Sequence, residues 1–182
     1  MATRPRHMPP NEVCLAQGAE FFCQIDRGGR GWTGRISDEH GIVRYRYRFQ
    51  HVAQKRGWAN PFNKPEFVVE NADGEVELII RRASFAPPVF SIIEVNNVVG
   101  WIRMSSPLRN RYAIHFGSQA SWVFRMPLST VQFHGESAIG TDVWVAVGPS
   151  QAEWSILVRP GMEDKRLVLV LAFIHNERWH YG

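Results

Sequence analysis

The stretch "RYRYRF", residues 44–49, combines residue types and spacing that could do chemistry. On a β-strand, Arg44, Arg46 and Arg48 fall on one face, each ~6.6–6.8 Å from the next. The planar guanidinium fork matches phosphate and carboxylate geometry. Three such groups in file repel one another unless an anion or acidic neighbours lie beside them. The run is therefore expected to hold an anionic ligand, above all phospholipid or phosphoinositide head groups at a membrane surface. Lys55 and Arg56, in the segment that follows, would help. The competing expectation is cross-strand pairing with carboxylates such as Glu39 or Glu70. Tyr45, Tyr47 and Phe49 point to the opposite face, whereas single-strand nucleic-acid platforms present aromatics and cations together. Nucleic acid thus ranks below lipid. The alternative function is a protein-interaction or structural domain without lipid affinity, with Trp58 and its neighbours as the partner-binding loop.

Other motifs carry less. Gly29-Arg30-Gly31-Trp32-Thr33-Gly34 matches the dinucleotide fingerprint GxGxxG, but that mechanism needs a helix N-terminus at the pyrophosphate. A β-like stretch and the turn Asp38-Glu39-His40-Gly41 follow instead. The run also brushes against a P-loop, yet Arg35 stands where Lys is required and Ile36 where Ser or Thr binds magnesium. A glycine-rich hairpin is the better account. The seven His are scattered, with no HExxH, CxxC or His-Cys cluster, so no metal is expected. His175 is expected as a hydrogen-bonded core residue. No GxSxG elbow or recognisable Cys partner supports hydrolase chemistry, and Glu75 and Glu77 belong on a solvated strand face. The expectation is a non-enzymatic protein with no cofactor.

The bulk of the chain agrees with one globular domain. Its 182 residues are 45% hydrophobic, 21% charged and 12% aromatic, with seven Trp. Net charge is +4, unevenly placed: residues 1–60 hold ten Lys/Arg against five Asp/Glu, and the remainder eleven against twelve. Cys14 and Cys23 make no disulfide framework and are expected to be reduced thiols of a cytoplasmic protein. No segment reaches the ~18 apolar residues of a transmembrane helix. Residues 1–12, with three Pro and no apolar run, are expected as a flexible N-terminal arm on a domain spanning 13–182.

What must position these residues is a set of strands. Val43, Tyr45, Tyr47 and Phe49 alternate with Arg44, Arg46 and Arg48; Val76, Leu78 and Ile80 alternate with Glu75, Glu77 and Arg81. One wet and one dry face is the pattern of antiparallel strands. Asn/Asp/Gly turn signals fall between the runs, including Asn71-Ala72-Asp73-Gly74 and Asn96-Asn97. Twelve strands are predicted, near 20–26, 31–37, 42–50, 66–70, 75–82, 89–95, 98–104, 111–117, 120–126, 131–135, 142–147 and 153–159. His51 to Pro65 is the one long connection.

The closing segment breaks the period. Residues 162–179 lack Pro and Gly, have Glu163 and Asp164 at one end and Arg178 and His180 at the other, and are apolar on every side from Leu167 to Ile174. A helix over about 162–179 and a thirteenth, buried strand are both open. Sterics favour the helix. A twelve-stranded barrel leaves a wider lumen than an eight-stranded one, and a helix ~10–12 Å across could fill it.

Hairpin-linked strands ending in an apolar helix resemble the tubby C-terminal-like superfamily, nearer its LURP-one-related and phospholipid scramblase-like branch. The resemblance lies in "FVVENADGEVELIIRRAS" (67–84), "FSIIEVNNVVGWIRMS" (90–105) and "LVLVLAFIHNERWHYG" (167–182), and covers roughly residues 13–182. It implies a mainly β fold: a twelve-stranded antiparallel barrel enclosing a hydrophobic C-terminal helix. It also implies a cytoplasmic protein, peripheral to the membrane. Scrambling is not implied. The stretch before the closing helix offers only Glu153, Glu163 and Asp164 for calcium, without EF-hand spacing, and the palmitoylated cysteine run of scramblases is missing. Tubby's phosphoinositide site does not map onto this chain residue by residue.

Overall fold

The computed structural model describes residues 19–28, 31–51, 65–85, 88–104, 111–117, 120–125, 132–137, 140–147, 153–158 and 165–180. Within them lie β1 (Ala19–Gly28), β2 (Gly31–Ser37), β3 (Val43–His51), β4 (Pro65–Asn71), β5 (Val76–Phe85) and β6 (Pro88–Glu94). Then come β7 (Asn97–Met104), β8 (Arg111–Phe116), β9 (Ala120–Arg125), β10 (Gln132–Ser137), β11 (Gly140–Val147), β12 (Glu153–Val158) and the helix α1 (Lys165–His180). The chain is mainly β and antiparallel, with one C-terminal helix, as its period-two patterning predicts. Each strand pairs with its neighbour in sequence, and β1 pairs with β12 from Ala19↔Val158 to Gln24↔Glu153. The expected arm over residues 1–12, and residues 13–18 after it, lie outside the described residues.

The strands alternate because they separate two solvents. Along β8 the side chains of Tyr112, Ile114 and Phe116 are buried, while Arg111 and His115 are exposed. One inner row runs Phe49↔Phe67↔Ile80↔Ile92↔Gly100↔Phe116 across six neighbouring strands. Gly100 is there for lack of space: a Cβ would sit 2.4 Å from the His115 carbonyl oxygen and 2.9 Å from the Phe116 ring.

The segment 165–180 is a helix, not a thirteenth strand. Every side chain from Leu167 to Ile174 is buried, so the helix is surrounded, as a segment apolar on all sides must be. Its Phe173 ring lies 4.9 Å from Phe90, 5.5 Å from Phe67 and 6.5 Å from Phe49, centre to centre. Sixteen helical residues span about 24 Å, close to the ~23 Å of a seven-residue strand, so helix and wall match in length. The helix starts at Lys165, three residues later than expected. No acidic residue occupies its first turn, and Glu163 and Asp164 lie outside the described residues. Burial of the apolar middle holds the helix in place. Asn176 is buried on it as well, its Nδ2 donating to the Ala172 carbonyl at 2.7 Å.

Two hairpins share one device. Asp38 Oδ1 accepts from the His40 and Ile42 N–H groups at 3.0 and 2.9 Å, and Asn71 Oδ1 from those of Asp73 and Glu75 at 3.0 and 2.9 Å. The following Gly41 and Gly74 have φ of +78° and +85°, which glycine adopts without a Cβ penalty. The β6–β7 turn departs from expectation. It centres on Val95 and Asn96, at φ of +45° and +67°, and Asn97 already pairs with Glu94 inside the ladder.

Candidate functional site

The three arginines of β3 do share an outward face, but they are not equivalent. Arg44 donates from Nε to Asp38 Oδ2 at 2.8 Å, and its terminal nitrogen makes an ion pair with the same oxygen at 2.7 Å. Arg48 pairs with Glu70. Arg46, exposed between them, has no hydrogen-bond or ion-pair partner among the described residues. Glu70 stands opposite Arg46 in register, yet its carboxylate goes diagonally to Arg48. The expected pairing alternative thus holds for Arg48 with Glu70; Arg44 takes Asp38, not Glu39.

On its other side Arg46 faces Arg35 of β2. Opposed cross-strand side chains have Cβ atoms ~4.5–5.5 Å apart, and like charges there are unfavourable. Arg35 is turned toward β1: its Nε and Nη2 donate to Gln24 Oε1 at 3.2 and 2.8 Å, and Asp26 lies 3.9 Å away. Among the described residues the outer wall of β1–β4 therefore carries four guanidinium groups, two of them committed to carboxylates and one, Arg46, without an acceptor.

Asp38 holds one edge of this face. Desolvation alone would raise its pKa, but hydrogen bonds from the Ile42 N–H, the Arg44 guanidinium and the His40 N–H outweigh that and hold it below the ordinary carboxylate range. The acceptor that fixes Arg44 is thus the same group that folds the β2–β3 turn.

Lys55, Arg56 and Trp58 lie outside the described residues. So do Cys14 and the side chains of His175 and His134. Cys23 is a free, buried thiol, and burial pushes its pKa well up. Burial likewise raises the neighbouring Tyr47 hydroxyl far above its usual range, with Cys23 adding to the effect. Burial favours the protonated form of both groups. Among the described residues no set of three His, Cys, Asp or Glu side chains could hold a metal.

The glycine fingerprint resolves into a hairpin. Gly31 pairs with Gly28, and Thr33 and Gly34 lie within β2 with no helix after them. Gly34 instead makes room for an aromatic ring: a Cβ would lie 2.3 Å from Tyr47 Cζ and 2.5 Å from the Gln24 carbonyl oxygen. Arg35, which stands where a P-loop would need Lys, is a site residue that motif matching misses. The alternation Thr33, Gly34, Arg35, Ile36 places it on the outward face beside the β3 arginines.

No family model matches the chain, and no curated protein matches it. Among solved structures it is similar to the X-ray structure of a protein from Arabidopsis thaliana, with a TM-score of 0.58 over 91% of this chain and 98% of that one. The likeness is one of fold. At 9% identity it carries no site from one chain to the other. No helix among the described residues is long and apolar enough to cross a membrane.

Proposed function

We propose that this chain is a non-enzymatic module that binds an anionic ligand, a phospholipid or phosphoinositide head group at a cytoplasmic membrane surface, through the outer wall of β2 and β3. Arg46 supports the reading: an exposed guanidinium, opposite a second one on Arg35, with no carboxylate of its own among the described residues. An oxyanion between them would relieve the like-charge contact and accept from both forks. Arg44 and Arg48 frame that position, held by Asp38 and Glu70. The reading of the fold as a tubby-like, twelve-stranded barrel of the LURP-one-related and scramblase-like kind belongs to the same proposal. The circuit of strand pairings and the plant neighbour's fold support it.

The test is flotation with liposomes containing anionic lipid, over a salt series. A basic residue near an anionic leaflet is worth ~1 kcal/mol at physiological salt. Arg35→Gln with Arg46→Gln should then weaken binding by about 2 kcal/mol, on the order of thirtyfold, with an unchanged melting curve. Neutral liposomes should bind neither form. Soluble inositol phosphates should compete if the head group alone is recognised. Undiminished flotation of the double variant refutes the site, and preference for duplex DNA at equal salt would reassign it to a nucleic-acid backbone.

A further inference from the structure

The same structure carries a second surface of opposite character. The described residues include five large hydrophobic side chains that stand exposed: Ile42, Val76, Val95, Val98 and Trp101. Four of them sit at the ends of three successive hairpins on one rim. Ile42 closes the β2–β3 turn, Val76 follows the β4–β5 turn, Val95 sits in the β6–β7 turn and Val98 just after it. Trp101 lies on the outer wall of β7, three residues beyond Val98.

Val95 is the least explicable by folding. It is 86% exposed and its φ is +45°. A β-branched residue in the left-handed region is a genuine outlier, and two-residue hairpins of this kind favour Asn, Asp or Gly at that place. An exposed side chain contributes nothing to the core. Strain kept at an exposed position points to a use outside the fold.

Among the described residues the charge on this rim is acidic, on a chain whose formal net charge is +4. Asp38, Glu39, Asp73, Glu75, Glu77 and Glu94 lie on or beside the three hairpins. Against them stand Arg44, tied to Asp38, and Lys165, tied to Glu77. Arg166 turns over the Phe116 ring, 4.8 Å from its centre. Negative charge around protruding aliphatics disfavours an anionic leaflet or a nucleic acid. It complements cations flanking apolar side chains. Two of the three turns are braced by the Asp38 and Asn71 side chains, so the surface is held in shape before anything binds.

We infer that this rim is a docking surface for a protein partner, which it engages through a segment of Lys or Arg residues interleaved with aliphatic ones. The site adjoins the arginine wall, Val76 pairing with Glu70 and Glu70 with Arg46, but takes a ligand of the opposite charge.

Labelled peptides that share one set of leucines and carry Lys, Ser or Glu elsewhere serve as probes, read by fluorescence anisotropy. The Lys–Leu peptide should bind, more weakly as salt rises, and the Glu–Leu peptide should not. Val95→Asn with Val98→Thr should weaken it tenfold or more. The melting temperature should stay level or rise, because Asn suits the left-handed turn, so unfolding cannot explain the loss. Glu75→Gln with Glu94→Gln should weaken the Lys–Leu peptide alone. Arg35→Gln with Arg46→Gln should not weaken it, although it weakens flotation, which separates this surface from the anion site. Unaltered binding to the Val95→Asn/Val98→Thr protein overturns the proposal, as does equal binding of all three peptides. Two other results also overturn it: loss of flotation on anionic vesicles in that variant, which would give the rim to a membrane, and self-association abolished by it, which would give the rim to a second copy.

Discussion

The two faces of β3 answer to different rules. On the inner face, Tyr47 and Phe49 are buried and stack on Phe67, 5.2 and 5.0 Å away between ring centres. Nothing else could occupy those positions without a void or a clash, and neighbouring strands and α1 enforce them. On the outer face, Arg44, Arg46 and Arg48 differ only in what chances to lie within reach. One has Asp38, one has Glu70, and one has no carboxylate among the described residues. The inner face is decided by volume, the outer face by individual partners. A repeat in sequence is thus a repeat in structure only where packing enforces it.

The largest effect expected is on the inner side. Leu169→Asp would bury an unpaired carboxylate on α1, costing several kcal/mol, comparable to a typical domain's whole stability. An insoluble chain, or one without a cooperative melt, is the expected outcome, while Leu169→Met should cost less than about 1.5 kcal/mol. If both variants melt alike, α1 is not the core.

Gly34→Ala comes next. The new methyl group meets the Tyr47 ring and the Gln24 backbone, and overpacking of this kind typically costs about 1–3 kcal/mol. A shift of that size in the urea midpoint, partly recovered on replacing Tyr47 by a smaller residue, checks it. No shift would mean that β2 and β3 can part without penalty.

Outer-face changes should be smaller and unequal. Arg48→Gln removes a half-exposed ion pair, worth at most about 1 kcal/mol after solvent screening. Arg46→Gln should be neutral or slightly stabilising, because it removes a like charge from the position opposite Arg35. Equal losses in the two variants would erase the distinction drawn between them. It also follows that a triple Arg44/Arg46/Arg48 substitution mixes binding with stability and is a poor test of either.

The smallest effect is a pH dependence at the edge of this face. The folded pKa of Asp38 is depressed, so its contribution is present above the unfolded carboxylate value and is lost as pH falls through the folded one. Asp38→Asn should keep the turn, as Asn71 does in the next hairpin, but flatten the acid limb of the stability curve locally. Amide exchange of Ile42 followed with pH measures this, and an unchanged profile in the variant would refute the coupling.

How much of this was legible beforehand follows the same division. Alternation of apolar and polar residues named the strands, because a wall with one wet and one dry side admits no other period. Asn, Asp and Gly named the hairpins where their side chains or positive φ were needed, at 38–41 and 71–74. They failed at 95–96, where a Val occupies the place an Asn or Gly would favour. The apolar run 167–174 demanded burial, yet burial alone left strand and helix open. Only the tertiary structure settled it, with Phe173 of a helix packed on Phe49, Phe67 and Phe90. The partners of the arginines were decided last, by register. A one-residue slip between β3 and β4 would hand Glu70 to another side of the sheet. Sequence by itself determined which residues face water and which do not, since that depends on local period and transfer free energy. Which charge meets which along β3 is local only for Arg44 and Asp38, six residues apart across one turn; Arg48 and Glu70 are 22 apart in the chain, and only the tertiary structure brings those together.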